Sequence, residues 1–268
     1  MGGQLSKPHR IIFKLIVNKD EAKDLLIKAE HKDGYLQECL DSTVNSKARH
    51  NMTYTPNLIG LQSIKPIEEY LEQVELPALL SSSLDTINII QLMPSADGGM
   101  PHTRPESIIC FPNISQLFSQ STLIHELWHV HQRKYKDYWL KVFSRIGWQL
   151  WNGILPEKLE DNRRYNPDTI DSPLWIFADT WVPVPVFRDI THPKVNDVDI
   201  WFYNVHGGYH SKAIPSEFIE YFSNLPAPAF EHPNETTAYM LADYEQYKNS
   251  RAFRDLIDIM GMNAVLNK

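Results

Sequence analysis

The stretch Ser121-Thr122-Leu123-Ile124-His125-Glu126-Leu127-Trp128-His129-Val130-His131-Gln132 constrains this chain more than any other. Its apolar residues fall at helical spacing. In a helix, positions four apart lie about 40° apart around the axis, so His125 and His129 point the same way. Leu123, Ile124, Leu127, Trp128 and Val130 then fall on the far side, as a helix packed into a fold by one face requires. Two imidazoles on the other face can grip one zinc ion. Glu126, about 100° round, can reach a metal-bound water without being a ligand. With 11 histidines in the chain, chance gives roughly 0.03 matches to His-Glu-x-x-His. His131 lies about 240° from His125, within the apolar face, and is expected to be a core histidine rather than a ligand.

Zinc of this type needs a third protein ligand and an open position. Downstream candidates are His192, His206, His210, His232 and Glu235. Glu235 is favoured. Pro233 suits a first helical turn, and Ala238 and Ala242 would let a helix bearing Glu235 approach the first helix closely. Asp243, two turns on, is a candidate to orient a ligand histidine.

Elsewhere the pattern predicts an α+β fold. Ile11 to Val17 reads as a buried strand, and Asn18 with Glu21 as a capping box opening a helix to about Ala29. Residues 31–63 read as polar and irregular. Ile67, Tyr70, Leu71 and Val74 repeat at helical spacing after Pro66. Strands are expected at 86–92 and 107–111, with a turn at 97–99. Asn113 or Ser115 is expected to cap a helix to about Tyr135, and 138–151 to be helical. Residues 152–233 are rich in proline and aromatics. Within them Pro183 and Pro185 suggest an edge strand or polyproline segment at 181–187, and so long an elaboration suggests cover for a site. The last 35 residues read as helical. The organisation expected is a flexible N-terminus (1–9), an upper α/β lobe (10–136) and a lower lobe, mostly helical or irregular (137–268).

Net charge is -7 and there are two cysteines, Cys39 and Cys110. The charge argues against nucleic acid as the partner. Two cysteines cannot build a disulfide framework or a four-cysteine zinc ribbon. No apolar run approaches the roughly 20 residues of a membrane span, and no secretory signal is visible. Met1-Gly2-Gly3-Gln4-Leu5-Ser6 fits the N-myristoylation pattern at Gly2. A cytoplasmic protein is expected, not a secreted one, held reversibly on a membrane face by the lipid, since a single acyl chain binds only marginally.

His125-Glu126-x-x-His129 followed by Asn234-Glu235-x-x-Ala238 resembles the zincin metallopeptidases whose third ligand is glutamate, the gluzincins. The resemblance covers about 10 positions. It implies a zincin-like upper lobe with a small twisted sheet above the motif helix. It also implies one zinc on His125, His129 and Glu235, with Glu126 as base. Gly98-Gly99-Met100-Pro101-His102 looks like the Gly-x-Met-Glu-Asn stretch of gluzincin aminopeptidases, but Pro101 stands where their glutamate holds the substrate amine. Such families often take an oxyanion donor from beyond the third ligand. Only 33 residues follow Glu235 here, none of them histidine.

The expected activity is therefore hydrolysis of a peptide or protein by a zinc-activated water. Trp201 to His210 is the expected source of the oxyanion donor, His206 or Tyr209, with Tyr203 and His210 near the substrate. His102 and Arg104 are further candidates for substrate contact. The strand at 107–111 is expected to hold an extended peptide by backbone pairing. Arg163-Arg164 and Asn166-Pro167-Asp168-Thr169 suggest no chemistry. Two rival readings are a deformylase-like zinc amidase, for which Cys110 is the nearest cysteine, and a myristoylated scaffold with a structural zinc.

Overall fold

A computed structural model of the chain describes residues 10–262. Gly2 and its expected lipid lie outside the described residues. The order of elements is β1 (Ile12–Leu15), α1 (Lys19–Asp33), α2 (Tyr35–Asp41), α3 (Thr43–Arg49), α4 (Leu61–Gln73), α5 (Ala78–Ser83), β2 (Thr86–Gln91), β3 (His102–Arg104) and β4 (Ile108–Phe111). There follow α6 (Gln120–Lys134), α7 (Lys136–Arg145), β5 (Trp148–Leu150), α8 (Glu157–Glu160), β6 (Trp175–Phe177), β7 (Trp181–Phe187), β8 (Val198–Asn204) and β9 (Tyr209–Ser211). The chain then runs through α9 (Ser216–Phe222), α10 (Pro233–Ala242), α11 (Tyr244–Tyr247) and α12 (Arg251–Ile259). The architecture is α+β.

The first sheet has the order β1-β2-β4-β3. β1, β2 and β4 are parallel, and β3 runs antiparallel at the edge. Parallel strands need cover on both faces, and alternation supplies it in β2 and β4, whereas β1, at the edge, is not the buried strand expected, with Ile12 exposed. Ile87, Ile89, Ile109 and Phe111 pack with Leu123, Leu127 and Trp128 of α6 on one face. Ile90, Ile108 and Cys110 pack with Ala22, Leu26 and Ala29 of α1 on the other. Asn18 caps α1, its side chain accepting from the N–H groups of Asp20 and Glu21. Gly34, at φ +60°, ends α1 in the left-handed region where a Cβ would be strained. The chain restarts at once as α2 and α3, so 31–63 is more helical than its polarity suggests. Ser42 ends the one and caps the other.

The second half departs further from expectation. It carries a five-stranded antiparallel sheet, β5-β6-β7-β8-β9. The helix expected over 138–151 stops at Arg145, and Trp148 begins a strand. β7 is a buried inner strand despite its prolines. The reason is parity. The carbonyl of Pro185 accepts from Arg164 N–H and Phe187 N–H donates to Asn162 O, so the odd positions of β7 face away from β8. The missing N–H groups of Pro183 and Pro185 therefore cost the β7–β8 ladder nothing.

The largest apolar cluster includes Ile11, Ile89 and Trp128 from the first half and Trp148, Phe218 and Ile257 from the second. One core thus runs through both expected lobes. Inside it α6 packs against α10, which brings the motif helix to the favoured third ligand.

Candidate metal centre

The motif helix is capped one step later than expected. Asn113 caps a 3-10 turn at Ile114–Phe118, and Ser119 then caps α6 by accepting from Thr122 N–H. α10 begins at Pro233. Its cap is the side chain of His232, whose Nδ1 accepts from Asn234 N–H at 3.0 Å while Nε2 meets Ser172 O at 2.8 Å. Burial pushes the His232 imidazole down to about 4. Both its nitrogens are engaged, which removes it as a ligand.

His125 Nε2 and His129 Nε2 are 2.9 Å apart. Glu235 Oε2 is 3.2 Å from the first, and Oε1 is 3.5 Å from the second. Tetrahedral zinc with bonds of about 2.0–2.1 Å would hold its ligand atoms about 3.3 Å from one another. The three separations bracket that value, and the donor set of two imidazoles and a carboxylate suits zinc. Among the described residues this is the group of three or more ligating side chains that could hold an ion. His129 Nδ1 lies 2.8 Å from Gln132 Oε1, which can only accept, so Nδ1 keeps a proton and Nε2 is the nitrogen left to ligate once an ion displaces its proton. The amide nitrogen of Gln132 in turn donates to Asn234 O and Thr237 Oγ1, joining α6 to α10. Gln132, rather than Asp243, is therefore what orients this histidine.

Glu126 is 4% exposed, and its Oε2 is buried without a hydrogen-bond partner among the protein groups. A buried polar atom of this kind is costly unless something fills the space beside it. A water at the ion would do so. Burial, and then the Asp168 carboxylate, push Glu126 well above the usual carboxylate range. Burial disfavours charge on His129, but the Glu235 and Asp168 carboxylates outweigh it and raise the imidazole to about 10. Burial opposes ionisation of Glu235 too, yet His129 and His125 hold it well below the ordinary value.

The group opens into a cleft of about 470 Å³, whose wall includes Asp97, His102, Arg164, Asn166, Glu231 and Tyr239. Tyr239 lies one turn beyond Glu235 and sets its ring edge-on to His125, centroids 5.0 Å apart. Burial and the nearby Glu235 carboxylate raise its phenol, so it stays a proton donor.

Several expected residues lie elsewhere. His206 is exposed on the β8–β9 turn, its Nε2 2.8 Å from Asp179 O. Tyr209 packs on Trp181, His210 on Trp201 and Tyr203 on Trp151. None of the four lines the cleft, because the second sheet uses them on its own surfaces. His192 is exposed beside Asp189. Arg104 is wholly buried. Its guanidinium donates to Asp33, Glu30 and Tyr54, leaving nothing for substrate. His102 does line the cleft, with Nδ1 donating to Met100 O and Nε2 accepting from Tyr54 O–H. β4 cannot take an added peptide strand, since β2 and β3 occupy both its edges. The outer side of β3 is also engaged: Thr103 N–H donates to Asp168 Oδ1, and Thr103 O accepts from Arg133. His131 is a core histidine, accepting from Trp139 Nε1 at 2.9 Å.

Tyr239 and Gln132 were within reach of the sequence, four and three residues from a ligand on the same helix face. Arg164, Asn166 and Glu231 had no such signal. Comparison with protein-family models, curated proteins and solved structures gives no match for this chain.

Proposed function

We propose that this chain is a zinc-dependent metallopeptidase of the gluzincin type, with a zincin-like arrangement of sheet and motif helix. The observation that carries the reading is the trio of ligand atoms 2.9, 3.2 and 3.5 Å apart beside a buried Glu126 whose Oε2 has no protein partner, at a cleft. His125, His129 and Glu235 would hold the ion. When bound, zinc supplies a water acidified to a pKa of about 7 and a Lewis acid for the scissile carbonyl.

The chain's own residues supply the rest. Glu126 takes the proton of the attacking water and hands it to the leaving amine. The raised affinity of its buried carboxyl for a proton suits both steps. Tyr239, on the cleft wall, donates its O–H to the carbonyl oxygen as negative charge gathers there. Gln132 keeps His129 in the tautomer that ligates. Pairing of the substrate backbone to β4 is not part of this reading, because β2 and β3 occupy both its edges, and Thr103 of β3 is itself engaged by Asp168 and Arg133.

A purely structural zinc prefers four protein ligands and has no need of a base, which counts against the scaffold reading. Cys110 is wholly buried within the first sheet and is not one of the clustered ligands, which counts against a deformylase-like site. No helix among the described residues is long and apolar enough to cross a membrane. Reversible attachment through a lipid on Gly2 fits the N-terminal sequence.

The test is zinc content by elemental analysis on the purified protein and on Glu235→Ala, with peptide-library cleavage on the protein and on Glu126→Gln. About one zinc per chain in the wild type, a large loss in Glu235→Ala, and cleavage reduced about 10²–10⁴-fold in a zinc-loaded Glu126→Gln are expected. A wild type that stays metal-free after reconstitution would end the reading.

A further inference from the structure

The segment from Arg163 to Thr169 has no role in the chemistry above, yet it is buried against the metal centre. Asn166 Nδ2 lies 3.1 Å from Glu235 Oε1 and 2.9 Å from Glu231 Oε1. Its Oδ1 accepts from Asp168 N–H at 3.0 Å. The orientation of the amide follows from chemistry: ionised carboxylates only accept, so the NH₂ end must face them, one hydrogen to each. Arg164 Nη2 donates to the other oxygen of Glu231. Arg164, Asn166, Glu231 and Glu235 are all less than a tenth exposed.

Glu231 lies just before the His232 cap and Glu235 just after it, and two carboxylates meeting in a buried site repel unless each has a donor. Arg164 answers the charge of Glu231. Asn166 then shares its two hydrogens between Glu231 and Glu235, without adding a charge that would compete with a metal. Asn166 is tied down at its other end by Asp168, whose side chain is bonded in turn to Thr103 of β3. The plane of the Glu235 carboxylate is thus referred to the wall of the first sheet and not left to its own helix.

From this geometry we propose that Asn166 is a positioning residue for the third metal ligand, held in place by the Arg164–Glu231 pair. The proposal rests on the metal reading above and deepens it. Asn166 fixes Oε1 of Glu235 while Oε2 faces His125, so the carboxylate is set for an ion before one arrives. Such outer partners typically tune metal affinity by 10–100-fold.

The experiment is a zinc titration against a chromophoric chelator, with the cobalt(II) form followed by visible absorption. It uses the full chain, Asn166→Ala, and Asn166→Gln, which keeps the donor on a longer arm. Asn166→Ala should bind zinc about 10–100-fold more weakly than the wild type, with altered cobalt bands and near-ultraviolet circular dichroism like that of the wild type. Asn166→Gln should recover part of the affinity. If Asn166→Ala does not fold, Glu231→Gln tests the same clamp and should weaken zinc binding in the same direction. A folded Asn166→Ala with affinity within about threefold of wild type and unchanged cobalt bands would overturn the proposal while leaving the metal reading standing. A wild type that binds neither metal would overturn both.

Discussion

His129 and His131 stand two residues apart on α6 and are equally hidden, 1% and 3% exposed. One is raised to about 10 and the other lowered to about 4. Burial acts on both in the same direction, against the charged imidazole. The difference lies in what each face of the helix meets. The His129 face meets Glu235 and Asp168, and carboxylates stabilise an imidazolium. The His131 face meets Trp128, Tyr135 and Trp139, with Lys134 as the nearby charge. Depth in the protein therefore does not separate a site histidine from a core histidine here. The company of acids does.

That contrast is open to direct attack. In metal-free protein, Glu235→Gln should bring His129 down from about 10 toward the ordinary 6.5, read from its imidazole resonances against pH. A value left near 10 would give the shift to Asp168 instead. The sign of the linked stability follows. With Glu235 present, the raised pKa stabilises the metal-free fold fully below pH 6.5, and that contribution is lost as pH rises through about 10.

For His131 the sign reverses. Its folded value lies below that of the unfolded chain, so its contribution is full above pH 6.5 and is lost as pH falls toward about 4. The loss should reach about 3 kcal/mol at most. His131→Gln should flatten that acid limb in urea unfolding at a series of pH values; an unchanged limb would assign it to His232 and the carboxylates.

The smallest effects concern the oxyanion donor. Tyr239→Phe should lower kcat about 10–100-fold with little change in KM. His206→Ala should leave kcat within about twofold, as an exposed residue outside the cleft should. Steady-state kinetics on a cleaved peptide separates the two, and a reversed order would return the role to the β8–β9 turn.

What could be read in the sequence was what local periodicity carries. His125, Glu126 and His129 lie within one and a half turns of one helix. Glu235 sits two residues after a proline that starts another. Tyr239 is readable by the same rule, four residues after Glu235, although Trp201 to His210 is the more conspicuous aromatic stretch. Arg104 is a candidate for substrate contact because it precedes the strand expected to border the cleft; its partners Glu30 and Asp33, more than 70 positions away, are brought to it only by the fold. Asn166 and Glu231 are 65 apart and meet only through the fold. The prolines of β7 misled for a different reason. A missing N–H matters only on the side that is paired, and parity toward β8 depends on a partner that the strand's own residues do not name.

The unbroken apolar cluster that passes from Ile11 to Ile257 has a mechanical consequence. Residues of both halves wall the cleft, and both halves are anchored in the same close-packed aromatic interior. Swinging one wall away from the other would part α6 from α10 and Trp128 from Trp139, at several kcal/mol for each large side chain uncovered. Hinged gaping is thus disfavoured. Entry to the cleft falls to rotamer changes at its rim, where Asp243 and Gln246 stand exposed, and the width of polypeptide that can be admitted is set when the core packs.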